Sequence, residues 1–257
     1  MVEECQTQPQ AALLIIGNEI LSGKIRDKNT PFLAEQLFGL GWKLREVSIV
    51  GDVQEDIVET IKRLAGRHEH VFTSGGVGPT HDDITLEAIA RATGRKLVLS
   101  PMLERLVKKY YKAEVLTPAQ QRLAMIPEGS MLHYGPDSLY PQMVVDNIYP
   151  LPGIPSLFRK KFEELKSLWP PVAAAHRHCF KMIAMETELA AVLGALAEEH
   201  QEVSLGSYPT EKSGVWHLEL VMESRNTGAL ETAAEALRKV LGGRNIEWQE
   251  NVAGQPG

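Results

Sequence analysis

Cysteine is scarce in this chain, which has only Cys5 and Cys179. Two cysteines so far apart, one of them in a polar N-terminal stretch, do not form the framework of a disulfide-rich secreted domain. Long apolar runs are missing as well. The first run, residues 11–16, is far too short for a signal peptide or a membrane span. We therefore expect a cytoplasmic protein with no membrane partner.

An excess of positive charge is also missing, because the formal net charge is -6. A general nucleic-acid binder usually carries a basic surface, so we expect no nucleic acid as partner. A small phosphorylated ligand remains compatible with this charge, since it needs only a local positive potential. The hydrophobic content of 44% is ordinary for a globular protein and is enough for one large domain or two modest ones.

The best-known phosphate-binding loops, G-x-x-x-x-G-K-[ST] and G-x-G-x-x-G, are not found here. A different glycine-rich stretch, residues 73–83, follows the apolar run at residues 70–72 and precedes a helical pattern. Such a strand–loop–helix unit offers bare backbone N–H groups and the positive end of a helix to an anion. The residues of this loop that we expect to bind the ligand are Ser74, Gly75, Gly76, Gly78 and Thr80.

Two carboxylates, Asp82 and Asp83, end the same loop. A carboxylate beside a phosphate is repulsive unless a cation lies between them. The simplest interpretation is therefore a phosphate-containing ligand bridged by a divalent metal, with Asp82 and Asp83 as candidate ligands and catalytic residues. Capping of the following helix is an equally good interpretation of either aspartate. His81 is a candidate general base or a solvated loop residue.

Strands and helices alternate through the first part of the chain, which predicts an α/β fold with a mostly parallel sheet covered on both faces. Beyond Pro170-Pro171 the order β-α-β-β-α predicts a small α+β domain with helices on one face of its sheet. We place the two domains at residues 11–170 and 176–246. The pattern also predicts one strand over 143–149, a linker over 176–179 and frayed residues at 251–257.

Three loops of the first domain follow a strand and precede a helix: residues 17–23, 74–83 and 151–155. In open α/β sheets such loops share the carboxyl edge of the sheet, where ligands bind, so we expect these three to converge. A helix start in the third loop suits a second phosphate. Beyond the glycine-rich loop, the residues that we expect at the site are Gly17, Asn18 and Gly153 for the ligand, and Glu19 for the metal.

The chemistry suggested by these residues is metal-assisted hydrolysis of a phosphoanhydride, in which loop N–H groups stabilise charge on the phosphoryl oxygens. Asp27 and Asn29 are candidates for ligand binding or for capping the helix that begins near Pro31. Asp52, with Glu55 three residues later, is the predicted cap of the next helix.

Four motifs in order resemble the competence/damage-inducible CinA family. They are G-N-E-I-L-S-G at 17–23, V-G-D at 50–52, S-G-G-V-G-P-T-H-D-D at 74–83 and L-P-G-I-P at 151–155. This family is a branch of the molybdopterin-binding, MoaB/MogA-like fold, which also supplies one domain of eukaryotic FAD synthase. Residues 134–141 are more similar to the FAD synthase version, and Arg122 stands where CinA proteins often have lysine.

This resemblance implies a three-layer α/β/α sandwich, followed by the small α+β domain found in CinA proteins. It implies a metal-dependent pyrophosphatase that acts on ADP-ribose, FAD or a related nucleotide with cobalt or magnesium, and with potassium as a further ion. The name of the fold implies a rival function, which is binding of a pterin or a nucleotide without hydrolysis. Proteins of this fold often assemble, so we also expect a homo-oligomer.

Overall fold

A computed structural model describes residues 8–135, 138–169, 172 and 176–253 of the chain. Cys5 and the expected boundary at Pro170-Pro171 lie outside these residues. The chain divides into two compact units, which consist mainly of the residues up to 172 and of the residues from 173 onward. None of the described helices is both long and apolar enough to cross a bilayer.

The first unit is built around a parallel sheet. Within the described residues the strands of the first unit are β1 (Gln10–Ile16), β2 (Lys43–Val50), β3 (His70–Ser74), β4 (Leu97–Leu99), β5 (Met125–Pro127), β6 (Met131–His133), β7 (Gln142–Val144) and β8 (Ile148–Leu151). The parallel sheet has the order β2-β1-β3-β8, so β1 and β3 lie in its centre. The other strands form the antiparallel pairs β4-β5 and β6-β7.

Helices cover both faces of this sheet, which gives three layers and confirms the predicted α/β class. On one face Leu14 of β1 shares a core with Ile57. On the other face Phe72 of β3 contacts the ring of Phe162, with centroids 5.6 Å apart. The helices are α1 (Asn18–Leu21), α2 (Asn29–Gly39), α3 (Gln54–Ala65), α4 (Thr85–Ala92), α5 (Pro101–Tyr111), α6 (Pro118–Arg122) and α7 (Pro155–Leu165), with a 3-10 turn at Lys166–Leu168.

The single strand predicted over 143–149 was wrong, because the chain turns between β7 and β8. Asp146 adopts a left-handed conformation with φ of 53°. Asn147 is then held from outside the turn, since its Nδ2 donates to the carbonyl oxygens of Ala65 and His68 at 3.0 and 2.8 Å. These bonds join residues about 80 positions apart, so a local pattern could not reveal the turn.

Aromatic side chains cluster where β3 begins. His70 stacks on Trp42 with ring centroids 4.0 Å apart, and its Nδ1 lies 3.0 Å from the hydroxyl of Tyr149. Trp169 Nε1 donates to the same hydroxyl at 3.3 Å. Burial among these rings lowers the pKa of His70 to about 4, because the charged imidazolium would lose its solvation.

We expect this histidine to make the protein less stable in acid. Unfolded His70 binds its proton near pH 6.5 and folded His70 only near pH 4, so the free energy of unfolding falls as the pH drops through this window. Above pH 6.5 this part of the stability is fully present. Because the ring is partly exposed, we expect a loss of about 2 kcal/mol. Urea unfolding at several pH values should show a flatter dependence for His70→Phe, and identical pH profiles would contradict the assignment.

The second unit is a small α+β domain with the order β-α-β-β-α-β. Its sheet is antiparallel in the order β10-β11-β9-β12. The face that carries Phe180 and Leu220 packs against the helices, where Leu189 and Leu237 are fully buried. The elements of this unit are β9 (His176–Ile183), α8 (Glu186–Glu199), β10 (Ser204–Lys212), β11 (Val215–Ser224), α9 (Thr227–Gly243) and β12 (Trp248–Ala253).

Two expectations for this unit were wrong. Residues 176–179 are not a linker but the beginning of β9, and residues 251–253 are not frayed but belong to β12. Both segments are held by pairing with each other, and His178 Nδ1 lies 2.7 Å from Glu250 Oε1 across this pair. The remaining residues of the expected frayed end, 254–257, lie outside the described part of the chain.

Candidate functional site

The ends of β1, β3 and β8 meet closely at the carboxyl edge of the parallel sheet, where three loops were expected to converge. Gly75 N donates to Leu151 O at 3.1 Å. A Cβ on Gly153 would lie only 3.3 Å from Gly75 Cα, and a Cβ on Gly75 would lie 2.3 Å from Ile16 O. The backbones of the three strand ends are therefore packed against one another without room for side chains.

This packing explains why residues 75 and 76 are glycines. Their φ values are 107° and 65°, which glycine adopts at low cost. A Cβ on Gly76 would lie 2.3 Å from the hydroxyl oxygen of Thr85. Thr85 is fully buried, and its hydroxyl donates to Gly75 O at 2.9 Å. Sequence reasoning missed Thr85, and a ligand-binding role for the two glycines stays a prediction.

An open cleft of about 640 Å³ lies between the first loop and the tip of the glycine-rich loop. Its lining contains the carboxylates of Glu19, Asp52 and Asp82 together with the ammonium group of Lys24. The cleft thus brings together three of the predicted residues, Asn18, Glu19 and Asp82. The rest of its lining is Ser22, His81 and Ile84.

Several predicted ligand residues do not line the cleft. Thr80 is exposed at the loop tip, whereas Ser74 is buried at the end of β3. Gly17 lies beneath the carboxylate of Glu19, because a Cβ there would come within 2.6 Å of Glu19 Oε1. Direct contact with a ligand in this cleft is therefore expected first for the side chains of Asn18, Glu19 and Asp82.

The two aspartates line different grooves. Asp82 lines the large cleft, and its Oδ1 lies 3.9 Å from His81 Nδ1. The carboxylate of Asp83 turns back into its own loop, where Oδ2 accepts the backbone N–H of Thr80 at 2.7 Å and also the Thr80 hydroxyl. Asp83 lies in a smaller groove with Arg122, whose Nη2 donates to Asp83 O at 2.7 Å. Thr80 thus holds the Asp83 carboxylate, and a metal-binding role for either aspartate stays a prediction.

Asp52 is not the helix cap that was expected. The helix α3 begins after Val53, and Asp52 Oδ2 instead accepts the N–H of Asn18 at 3.0 Å. This bond connects the end of β2 to the first turn of α1 and places a further carboxylate in the cleft. The local pattern of Asp52 and Glu55 suggested a cap, but a contact across 34 positions leaves no local signal.

Asn29 lies beneath the loops. Its backbone N–H donates to Asp27 Oδ1 at 2.8 Å, so Asp27 supplies the cap of α2. Its buried side chain donates through Nδ2 to Ser74 Oγ at 2.8 Å and to Gly153 O at 2.9 Å. Asn29 Oδ1 has no hydrogen-bond partner among the described residues. Asn29 therefore ties the ends of β3 and β8 together and engages two residues that were expected to contact a ligand directly.

The cleft offers oxygen donors of the kind that hard cations prefer. Glu19, Asp52 and Asp82 all belong to its lining. Across the described ranges, no three His, Cys, Asp or Glu side chains stand close enough together to hold a metal ion on their own. Magnesium is usually bound by one or two carboxylates, with water and substrate phosphates as the other ligands. The donor set of the cleft fits that mode of binding.

Two protein families match the two units. The family described as probable molybdopterin binding domain matches residues 12–172. The family described as FAD synthase, middle domain matches residues 174–250. The two matches meet close to the place where the chain divides into compact units.

Similar proteins with known names include FAD synthases and CinA-like proteins. A probable FAD synthase of Caenorhabditis elegans is 30% identical over 268 residues, which is 94% of this chain and 52% of that protein. A CinA-like protein of Myxococcus xanthus is 37% identical over 157 residues, which is 59% of this chain and 37% of that protein. The chain thus spans about half the length of the FAD synthases that it matches.

A solved structure is also similar. It is the protein CinA, of unknown function, from Thermoplasma acidophilum. The two structures have a TM-score of 0.58 and 27% sequence identity, and the match covers 62% of this chain and 97% of that one.

Proposed function

The chain belongs, over residues 12–172, to the probable molybdopterin binding domain family, and we propose that it is a metal-dependent nucleotide pyrophosphatase. Its substrate would be a dinucleotide-like phosphoanhydride such as ADP-ribose or FAD. The observation that carries this proposal is the cleft, whose lining joins Glu19, Asp52 and Asp82 with Lys24. Similarity to FAD synthases in both units supports a nucleotide related to FAD as the ligand.

The charges of the cleft suit a diphosphate only when a cation accompanies it. Three carboxylates and one lysine line the space, so the phosphates of a nucleotide alone would be repelled. Glu19 or Asp82 would hold a divalent ion of cobalt or magnesium, which would neutralise phosphate charge and make water a better nucleophile. The carboxylates that would repel the phosphates are therefore also the groups that would hold the cation.

The groups of the chain have separate tasks in this proposal. Lys24 supplies positive charge to a phosphoryl oxygen, and Ile84 offers apolar surface. His81 is almost fully exposed beside Asp82 and is the candidate base that takes the proton of the attacking water. The water oxygen bonds to one phosphorus and the P–O–P bridge breaks. ADP-ribose thereby yields AMP and a ribose phosphate, and FAD yields AMP and FMN. A cleft of about 640 Å³ is within the usual range for ligands of this size.

A second function, binding of a nucleotide or pterin without hydrolysis, also has an observation in its favour. Within the described part of the chain, no cluster of three metal-ligating side chains is preformed. A binding protein needs the concave, polar cleft but needs no strong metal site. This alternative predicts tight ligand binding and no turnover with any metal.

A screen of metals against substrates separates the two functions. The purified chain is incubated with ADP-ribose or FAD and with magnesium or cobalt, each with and without potassium, and AMP is measured by chromatography. We expect AMP release that requires the divalent ion and stops on addition of a chelator. Binding measured by calorimetry with no AMP release under any ion would contradict hydrolysis and support the binding protein.

A further inference from the structure

Polar side chains of the first loop and of the glycine-rich loop lie directly over glycines. Within the described residues, several glycines of the first unit lie where an added Cβ would collide with a carboxylate or amide oxygen. Each of these oxygens belongs to a residue of the first loop or of the glycine-rich loop. The pairs are Gly17 with Glu19, Gly51 with Asn18, and Gly78 with Asp83, with closest approaches of 2.6, 2.5 and 2.7 Å.

Gly51 is the clearest of these cases. Gly75 and Gly76 have positive φ values and are closely packed, so the backbone conformation itself favours glycine at both positions. Gly51 is not among the described glycines with positive φ, so its backbone conformation is open to other residues. A Cβ at this position would lie 2.5 Å from Asn18 Oδ1, a separation that real Cβ atoms essentially never show. Asn18 is exposed, so a methyl group at position 51 would be accommodated by rotation of the Asn18 amide away from its present place.

We propose that Gly51 is a positioning residue of the candidate site, and that it acts by leaving room for the side chain of Asn18. This proposal rests on the proposed function, in which Asn18 lines the substrate cleft. The next residue completes the arrangement, since Asp52 Oδ2 accepts the N–H of Asn18 at 3.0 Å. Gly51 thus leaves room for the side chain of Asn18, and Asp52 binds its main chain.

The position of Asn18 matters because it begins α1. Glu19 and Ser22 lie in or next to this short helical turn, and both line the cleft. The turn is only four residues long and has little stability of its own, so its placement depends on contacts such as those of Asn18. A methyl group at position 51 would turn the amide of Asn18 out of the place that it has in the cleft lining.

A double-mutant cycle with Asn18 tests this proposal. Gly51→Ala alone should lower kcat/KM for ADP-ribose about tenfold or more, since small displacements in an active site have large effects. Asn18→Ala removes the colliding oxygen. Adding Gly51→Ala to Asn18→Ala should therefore change kcat/KM by less than about twofold. Gly194→Ala is the matched control, because a Cβ there would meet no described atom within 4 Å, and it should leave kcat/KM unchanged.

A second measurement does not depend on catalysis. The change in the urea midpoint of unfolding caused by Gly51→Ala should be less favourable when Asn18 is present than when Asn18 is already alanine. Equal effects of Gly51→Ala in both backgrounds, on kcat/KM or on the urea midpoint, would overturn the proposal. If the wild type releases no AMP but the urea cycle shows the expected coupling, the contact stands and the proposed hydrolysis fails.

Discussion

Replacement of Asp82 by asparagine is expected to abolish most of the metal-dependent AMP release, with a fall in kcat/KM of about 100-fold or more. Asp82 brings a full negative charge to the cleft that also contains Glu19. The Thr80 hydroxyl and the backbone N–H of Asp82 itself hold the pKa of this carboxyl below its usual range. Asparagine keeps the shape and removes the charge that a cation requires.

The fold should survive this change. The side chain of Asp82 is 61% exposed, so its loss leaves no buried group without a partner. Thermal unfolding of Asp82→Asn should match that of the wild type. Asp56→Asn is a suitable control, since Asp56 is an exposed aspartate on α3 that does not line the cleft. If Asp82→Asn retained more than about a third of wild-type activity, Asp82 would have no role in holding a cation.

Replacement of Asp83 should behave differently. Asp83→Ala removes the acceptor for the N–H and the hydroxyl of Thr80, so it should loosen the loop tip as well as reduce activity. The hydroxyl of Thr80 has one proton, which it donates to Asp83. We therefore expect lower thermal stability for Asp83→Ala and unchanged stability for Asp82→Asn. The same loss of stability in both variants would contradict this division of roles.

The largest effect on stability is expected from Gly75→Ala. A Cβ at this position would lie 2.3 Å from Ile16 O, and the φ of 107° is itself costly for alanine. The colliding atom belongs to the backbone of the central strand β1, so it cannot move aside as a flexible side chain can. We expect a loss of about 3 kcal/mol or more of unfolding free energy.

Hydrogen exchange of peptides from β1 and β3 measures this loss in the unit where it should occur. Faster exchange in these peptides, with unchanged exchange in β9 and β11 of the second unit, is the expected result. Gly194→Ala again serves as control, because it adds the same methyl group in open space among the described residues. If Gly75→Ala were as stable as the wild type, the close packing of the three strand ends would be wrong.

Much of the architecture could be predicted because it depends on local patterns. The continuous apolar run 11–16 is buried on both sides in β1 as expected. The order of the strand and helix patterns predicted the parallel sheet and the small α+β unit. The position of the glycine-rich loop after β3 followed in the same way. Pairing between distant segments could not be predicted so well, and the turn at Asp146 and the strand β12 were missed for this reason.

The candidate site shows the same division between local and distant information. Glu19 and Asp82 were placed at one site by their position after parallel strands, and both line the cleft. The part played by Asp52 depends on a bond to a residue 34 positions away, which leaves no trace in the local sequence. The burial of Asn29 depends on Ser74 and Gly153, each on a different segment of the chain.

The amino-acid sequence alone thus determined the fold class and the three loops that meet at one edge of the sheet. Apolar periodicity and glycine chemistry act within a few residues, so both can be recognised without coordinates. Only the tertiary structure decided which carboxylates share the cleft, that Asp83 turns back to Thr80, and that Gly51 makes room for Asn18. The direction of each of these side chains is set by atoms that folding brings close, and the local sequence does not specify it.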